Sequence, residues 1–351
     1  MTIPVTQFNS LINIRRTRLL PVEGHVSVLG GQNVEATDVI AEADNYAKHL
    51  LIDIKRSINL SPSDNAKKYI VRKEREWIQQ GDVIAEKSGV FKQIVRSPVK
   101  GRIITINNGK ILIEVHTPPL KIHAGIPGIV RETYPDRGVV IEANGALLQG
   151  VWGNNLIDTG LLSIPHKDPD TEFDPKTLDI SLRGSVIMGS FCSDHETINQ
   201  ISHMQPHGLI LGSVPSRLIP LLNTLNFPVI LLEGIGRIPV NQIAYDILIR
   251  NEKETICLNA VRRKINSDER PEIIIPSTQN AEQPIIPVDF MEGQVVRLHG
   301  SPYEGSIGKI EKILVGKVKI PLGTYAKAAN IILDSYEKVV FPLSNLEVVS
   351  N

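Results

Sequence analysis

Short runs of Ile, Val and Leu, bounded by Gly, Pro, Asp or Asn, recur along the whole chain and predict strands. Ile111–Val115 and Gly138–Glu142 are two of them. In residues 43–75 the pattern differs. Tyr46, Leu50, Ile54 and Ile58 recur at i+4 and predict an amphipathic helix, and Ser61-Pro62 reads as an N-cap followed by Pro at the first helical position. From Arg183 on, strand and helix patterns alternate. Strands are predicted over 184–189, 208–212, 227–232 and 255–260, and helices over 195–204, 215–225 and 239–250. Such alternation predicts a parallel sheet with right-handed crossovers. Residues 266–288 are rich in Pro, Ser, Asn and Glu and read as a linker whose apolar patch, Ile273–Ile275, docks on the preceding domain. Alternating strands return at 293–298, 306–313, 329–333, 338–342 and 346–349. The expected fold is multi-domain and β-rich, with a central α/β parallel-sheet domain.

The chain also repeats itself. Asp38-Val39-Ile40-Ala41-Glu42 recurs as Asp82-Val83-Ile84-Ala85-Glu86. Two copies do not make a solenoid, so they predict a pseudo-symmetric small β-fold in which each copy is a turn followed by a strand. With Leu20–Val26 and Ser97–Ile103, this grammar resembles the barrel-sandwich hybrid of biotinyl and lipoyl domains, and more narrowly the N-terminal part of the C subunit of Rnf-type electron-transport complexes. Carrier domains of that kind hold a modifiable Lys at an exposed hairpin tip. Here a long insert, 43–75, stands between the halves, so no biotin, lipoate or other cofactor is expected, and Lys48, Lys55, Lys67 and Lys68 read as a solvated face.

The sequence around Ser301-Pro302-Tyr303-Glu304-Gly305, with Gly308 and the final Asn345–Val348 run, resembles the KOW motif of SH3-like barrels in NusG-like and ribosomal proteins. The resemblance implies a C-terminal barrel that binds RNA, ribosomal protein or RNA polymerase, with Arg297, His299, Tyr303, Lys309 and Lys312 touching the partner. The expected domains are 1–125, a barrel-sandwich hybrid with a helical insert; 126–178, a β-rich extension; 179–265, a Rossmann-like α/β domain; 266–288, the linker; and 289–351, the KOW barrel.

Ligands of parallel sheets sit at the C-terminal strand ends, where helix N-termini offer free N–H groups. That places a candidate crevice for a small anionic ligand at Ser193, Asp194, Ser213, Ser216, Arg217, Glu233, Gly234, Gly236 and Arg237. Neither a full dinucleotide fingerprint nor a Walker motif is present. Cys192 and His195 are too close in sequence for the usual Cys–His pair, and Trp152 and Gln149 line a pocket or fill core. No catalytic residue and no metal ligand is assigned.

Composition narrows the function classes. Formal net charge is zero, with 38 Lys+Arg against 38 Asp+Glu, but residues 1–130 hold 18 basic and 12 acidic residues. This asymmetry reads either as ordinary surface variation or as an N-terminal half that meets an acidic partner or nucleic acid. With only 2 Cys, a disulfide framework and a Cys-rich zinc site are excluded, and a cytoplasmic setting is expected. No apolar run approaches the ~18 residues of a membrane span. The expected function is a non-enzymatic adaptor docking on a protein assembly through its KOW and barrel-sandwich modules. The alternatives are a factor binding RNA or DNA through the KOW barrel, or a redox or ligand-binding accessory using the α/β crevice.

Overall fold

The computed structural model describes residues 3–45, 48–61, 64–88, 92–262, 270–284, 287–320 and 323–350. Tyr46 and Pro62, both part of the expected helical insert, lie outside these. The chain forms two compact units. One takes the chain up to Leu19, Val26–Ile40 and everything from His123 on, and the other takes Leu20–His25 and Ala41–Ile122.

The first unit is organised by one mixed sheet. Its main elements in chain order are β1 (Val5–Leu19), β2 (Gly128–Tyr134), β3 (Gly138–Gln149), β4 (Ile157–Ser163), β5 (Ser185–Met188), α1 (His195–His203), β6 (Gly208–Val214), β7 (Val229–Ile235), α2 (Gln242–Arg250), β8 (Thr255–Asn259), β9 (Glu272–Pro276), β10 (Val295–Leu298), β11 (Ile307–Ile313), β12 (Ala328–Leu333), β13 (Lys338–Pro342) and β14 (Leu346–Ser350). The strand order is β7-β6-β5-β4-β8-β9-β3-β1-β14-β10-β11-β12-β13. The expected α/β alternation is present: β4 to β7 are parallel neighbours in sequential order. The fourth strand of that pattern, β8, instead runs antiparallel to β4. α1 buries Ile198 and Ile201 on one sheet face with Ile187 and Leu209, while α2 buries Ala244 and Leu248 on the other with Ile210 and Ile230. α2 starts later than expected, because Asn241 caps it through Ala244 N at 2.9 Å. Pro239 therefore precedes the helix.

Two sequence expectations change here. Ile273–Ile275 is not a patch on a linker. It is the middle of β9, paired antiparallel to both β3 and β8, with all three isoleucines buried. A strand covered on both faces has no polar positions to alternate, so it reads as a plain apolar run. The five strands β10–β14 form an antiparallel array around Val296, Ile310, Ile331 and Val348. They are continuous with the large sheet, because β14 pairs parallel to β1 (Val5↔Val348, Gln7↔Ser350).

The second unit is built on a sheet of Lys48–Asp53, Lys110–Val115, Gly101–Asn107 and Trp77–Ile78, in that order. The predicted helix over 46–58 is thus largely a strand. Spacing of four residues keeps side chains on one face of a strand as well as of a helix, and Lys48–Asp53 pairs with Lys110–Val115 throughout. Only Ile54–Ser57 is helical, started by the Asp53 carboxylate accepting from Arg56 N at 3.1 Å.

The repeat runs deeper than its pentapeptide. Each unit holds one copy of the same hydrogen-bonded motif. Gly31 N donates to Val130 O at 2.7 Å and Val130 N to Gln32 O at 2.9 Å; Arg75 N donates to Ile103 O at 2.6 Å and Ile103 N to Glu76 O at 2.9 Å. Asp38 caps Glu35 N at 2.8 Å as Asp82 caps Gln79 N at 3.1 Å. Ala124 N reaches Asp38 O at 2.9 Å as Ser97 N reaches Asp82 O at 2.8 Å. Gly128 and Gly101 are equivalent close approaches, where a Cβ would meet Glu142 O at 2.4 Å and Glu114 O at 2.3 Å. Residues Gly31–Val34 thus match Arg75–Ile78, at the same offset as the two pentapeptides.

Candidate nucleic-acid interface

The expected partner-contacting residues divide sharply. Arg297 is 1% exposed and touches no solvent-facing surface, which corrects its assignment. It sits in β10 between elements that cover both strand faces. Its guanidinium carbon lies 5.4 Å from the Phe8 ring centroid, Nη2 is 3.0 Å from Glu233 Oε2, and Nη1 is 3.7 Å from Glu347 Oε2. Glu347 also pairs with Arg270 at 2.7 Å and accepts from His299 Nε2 at 3.2 Å. His299 is half-buried; its Nδ1 is 3.3 Å from Glu304. Tyr303 donates to Glu337 at 2.6 Å and packs edge-on against Phe341. The loop around His299 thus faces carboxylates, an arrangement unsuited to phosphate.

This network fixes a pH dependence. Burial alone would raise the Glu347 carboxyl, but hydrogen bonds from His299 and Thr6 and the charges of Arg270 and Arg297 outweigh it and hold it well below its ordinary 4.5. The Glu347 hydrogen bond is the main cause that raises His299 above its ordinary 6.5. A depressed carboxyl stabilises the fold above 4.5 and loses that as pH falls through its folded value, whereas a raised imidazole stabilises below 6.5 and loses that as pH rises through its own. Stability measured by urea unfolding is therefore expected to peak between these limits and decline on both sides. A stability that keeps rising from pH 6 to 9 would contradict the arrangement.

The crevice candidates meet one another. Ser193 N and Oγ both donate to Glu172 Oε1, the amide at 2.9 Å. Arg237 Nη2 reaches Ser193 Oγ at 3.0 Å and Glu172 Oε2 at 3.6 Å, and Arg217 Nη2 donates to Ser193 O at 2.6 Å. The anion that Ser193 and Arg237 hold is the chain's own Glu172, which the sequence reading did not single out. Asp194 caps α1 through Thr197 N at 3.0 Å. Ser213 Oγ accepts from Ile238 N at 2.7 Å, closing the turn that contains Gly236 (φ 149°). Gly234 (φ 113°) follows Glu233, whose Oε1 accepts from Asn241 N at 3.1 Å and Nδ2 at 2.6 Å. Ser216 is exposed. Gln149 is buried, bonded to Gln7 N at 3.2 Å, and Trp152 lies under the Arg262 guanidinium at 4.8 Å.

The two thiols are inert by environment. Burial pushes Cys192 up to about 11 and Cys257 up to about 12. A thiol-disulfide reagent at pH 8 is expected to label neither in the native protein and both after unfolding. Fast native labelling of Cys192 would refute this.

The exposed positive charge gathers on an arm the sequence reading reached only in part. Lys309 and Lys312 stand exposed on β11. Beyond it the chain makes a small hairpin in which Val318 pairs with Ala326 and Lys319 with Tyr325. Directly opposed residues share a face, and alternate residues stay on it. Lys317, Lys319, Tyr325 and Lys327 therefore line one side, all exposed, with Tyr325 at 67%. The arm's acidic residue, Glu311, is paired with Lys338 at 2.5 Å. Five lysines within 309–327 against one glutamate were countable in the sequence. Over 291–350 as a whole the charges nearly cancel, seven Lys/Arg against six Asp/Glu, which hides the cluster.

No protein-family model matches this chain. No curated protein matches it either. Among the described residues no helix is long and apolar enough to cross a membrane.

Proposed function

We propose that this chain is a nucleic-acid-binding accessory protein that grips the phosphate backbone of RNA or DNA with the lysine arm of its C-terminal module. The reading rests on one observation, the face formed by Lys317, Lys319, Tyr325 and Lys327. Lysines neutralise phosphates, and an exposed tyrosine among them offers a stacking plane. The antiparallel array β10–β14 and its loop at His299–Gly305 support the KOW resemblance, and the twin motifs support the barrel-sandwich resemblance. Both kinds of module bind rather than catalyse. Cytoplasmic residence follows from that reading.

If each of the five arm lysines neutralises one phosphate, duplex affinity has a log–log salt slope of about −4.5, a loss of about 500-fold between 50 and 200 mM salt. Lys317→Glu with Lys319→Glu should flatten the slope by about 2. Fluorescence anisotropy with a labelled duplex reads both. Undetectable binding at about 50 mM salt would remove the proposal. The adaptor reading is favoured by Val315 (96% exposed), in the turn after β11, and Tyr336 (88% exposed), at the tip between β12 and β13. It would gain from a protein partner retained after nuclease treatment.

A further inference from the structure

The internal duplication supplies its own control. Two copies of one motif share backbone hydrogen bonds, so the side chains the fold requires should agree between them, and those it does not require are free to differ. They agree at the buried positions: Val34 and Ile78, Ile40 and Ile84, Ala41 and Ala85. They differ in one direction around the strand Trp77–Ile78. Where the first copy has Gly31, Asn33, Pro127 and Ile129, the second has Arg75, Trp77, Lys100 and Arg102.

Three features make this cluster a surface rather than packing. Trp77 is 57% exposed while its neighbour Ile78 is 1% exposed, so the strand turns its indole outward. Trp77 pairs in register with Arg102 on the same face, Arg102 Nε donates to Arg75 O at 3.3 Å, and the His116 ring meets the indole edge-on at 5.9 Å. His116 N in turn bonds Lys100 O at 2.9 Å, which holds Lys100 at the same end. Arg75 occupies a left-handed conformation (φ 67°) where the first copy has Gly31 (φ 84°). A side chain kept at such a strained position points to a use. The strand lies at the sheet edge. Among exposed aliphatics, Ile104 (39%) stands two residues along the neighbouring strand from Arg102, and Leu51 lies in the farthest strand. The groups that register, ring contact and hydrogen bonds place around the indole are Arg102, Arg75, Lys100 and His116. The unit holds 15 Lys/Arg against 10 Asp/Glu.

We infer that this edge is a second nucleic-acid site, specific for single strands, in which an unpaired base stacks on Trp77 while Arg75, Lys100 and Arg102 hold the flanking phosphates. A lone exposed ring among cations fits single-stranded nucleic acid, because every base offers a π-face and every linkage a charge. Paired bases in a duplex have no free face for the indole. The inference rests on the reading of the chain as a nucleic-acid binder but uses none of the arm's residues.

The test uses the full-length protein and a 15-mer of dT, a 15-mer of rU, a blunt duplex and a poly-glutamate peptide. Trp77→Asn, Arg75→Gly and Arg102→Ile each install the residue the first copy carries at that place, so the triple variant keeps a backbone the motif already tolerates. Circular dichroism and the unfolding midpoint confirm the fold. Loss of the stack and two charges should weaken 15-mer binding at least tenfold and leave duplex binding unchanged. Indole emission should be quenched by the 15-mers in the native protein and in Lys317→Glu/Lys319→Glu, and unquenched in Trp77→Phe. Failure of duplex binding alone overturns the arm and leaves this site standing. Unchanged 15-mer affinity in the triple variant overturns the inference, as does quenching by poly-glutamate without quenching by the 15-mers.

Discussion

Arg297→Met is expected to destabilise the protein by about 3–5 kcal/mol, because it removes the cation shared by two buried carboxylates. Glu233 and Glu347 are both almost fully buried, and Met cannot balance either charge. The Arg297 Nη2–Glu233 contact of 3.0 Å is a charge contact rather than an aligned hydrogen bond, so its worth lies in neutralisation. The same argument gives the control. Replacing Glu233 and Glu347 together with Arg297 by apolar residues of similar size removes the charges with their counter-charge, and much of the loss should return. Urea unfolding of the single and triple variants measures both. A single-variant cost below about 1 kcal/mol would show that the site is neutral by another route. Because Glu233 lies on β7 and Glu347 on β14, this cluster also pins the five C-terminal strands to the α/β layer. One cooperative unfolding transition is expected for both.

Ile273→Ala should cost about 2–5 kcal/mol, the range for emptying a fully buried site. Ile273 is 0% exposed and sits opposite Leu148 on one side and Leu258 on the other, in the core shared with Ile210 and Ile230. The same change in a tethering segment would move stability by no more than about 0.5 kcal/mol. Thermal unfolding of this one variant separates the two readings, and a midpoint within a degree of wild type would return the segment to the linker class.

These two residues show where sequence reasoning reached and where it stopped. The strand–helix alternation from Ser185 to Asn259 was legible because each element is set by local spacing and bounded by Gly, Pro or a cap. The twin pentapeptides were legible because an Asp-closed turn before a buried Ile-Ala pair is local chemistry. The strands that complete each motif, 124–130 and 97–103, share little sequence and are joined to it only by backbone bonds, so the depth of the repeat was hidden. The segment 48–53 was misread because its apolar spacing is an even number, compatible with both periods. Polar surroundings disguised Ile273–Ile275, although three β-branched residues in a row are what a doubly covered strand looks like. Arg297 looked like a surface cation because nothing local tells of Glu233 and Glu347. Trp77 and the lysine arm were visible as residues, but only the copy-to-copy comparison and the hairpin register gave them a meaning.

The parallel pairing of β1 with β14 ties the first strand to the last, Val5 beside Val348. Residues 5–7 cannot complete their pairing until β14 has been made, and until then that edge of β1 is an open, strand-shaped template for other chains.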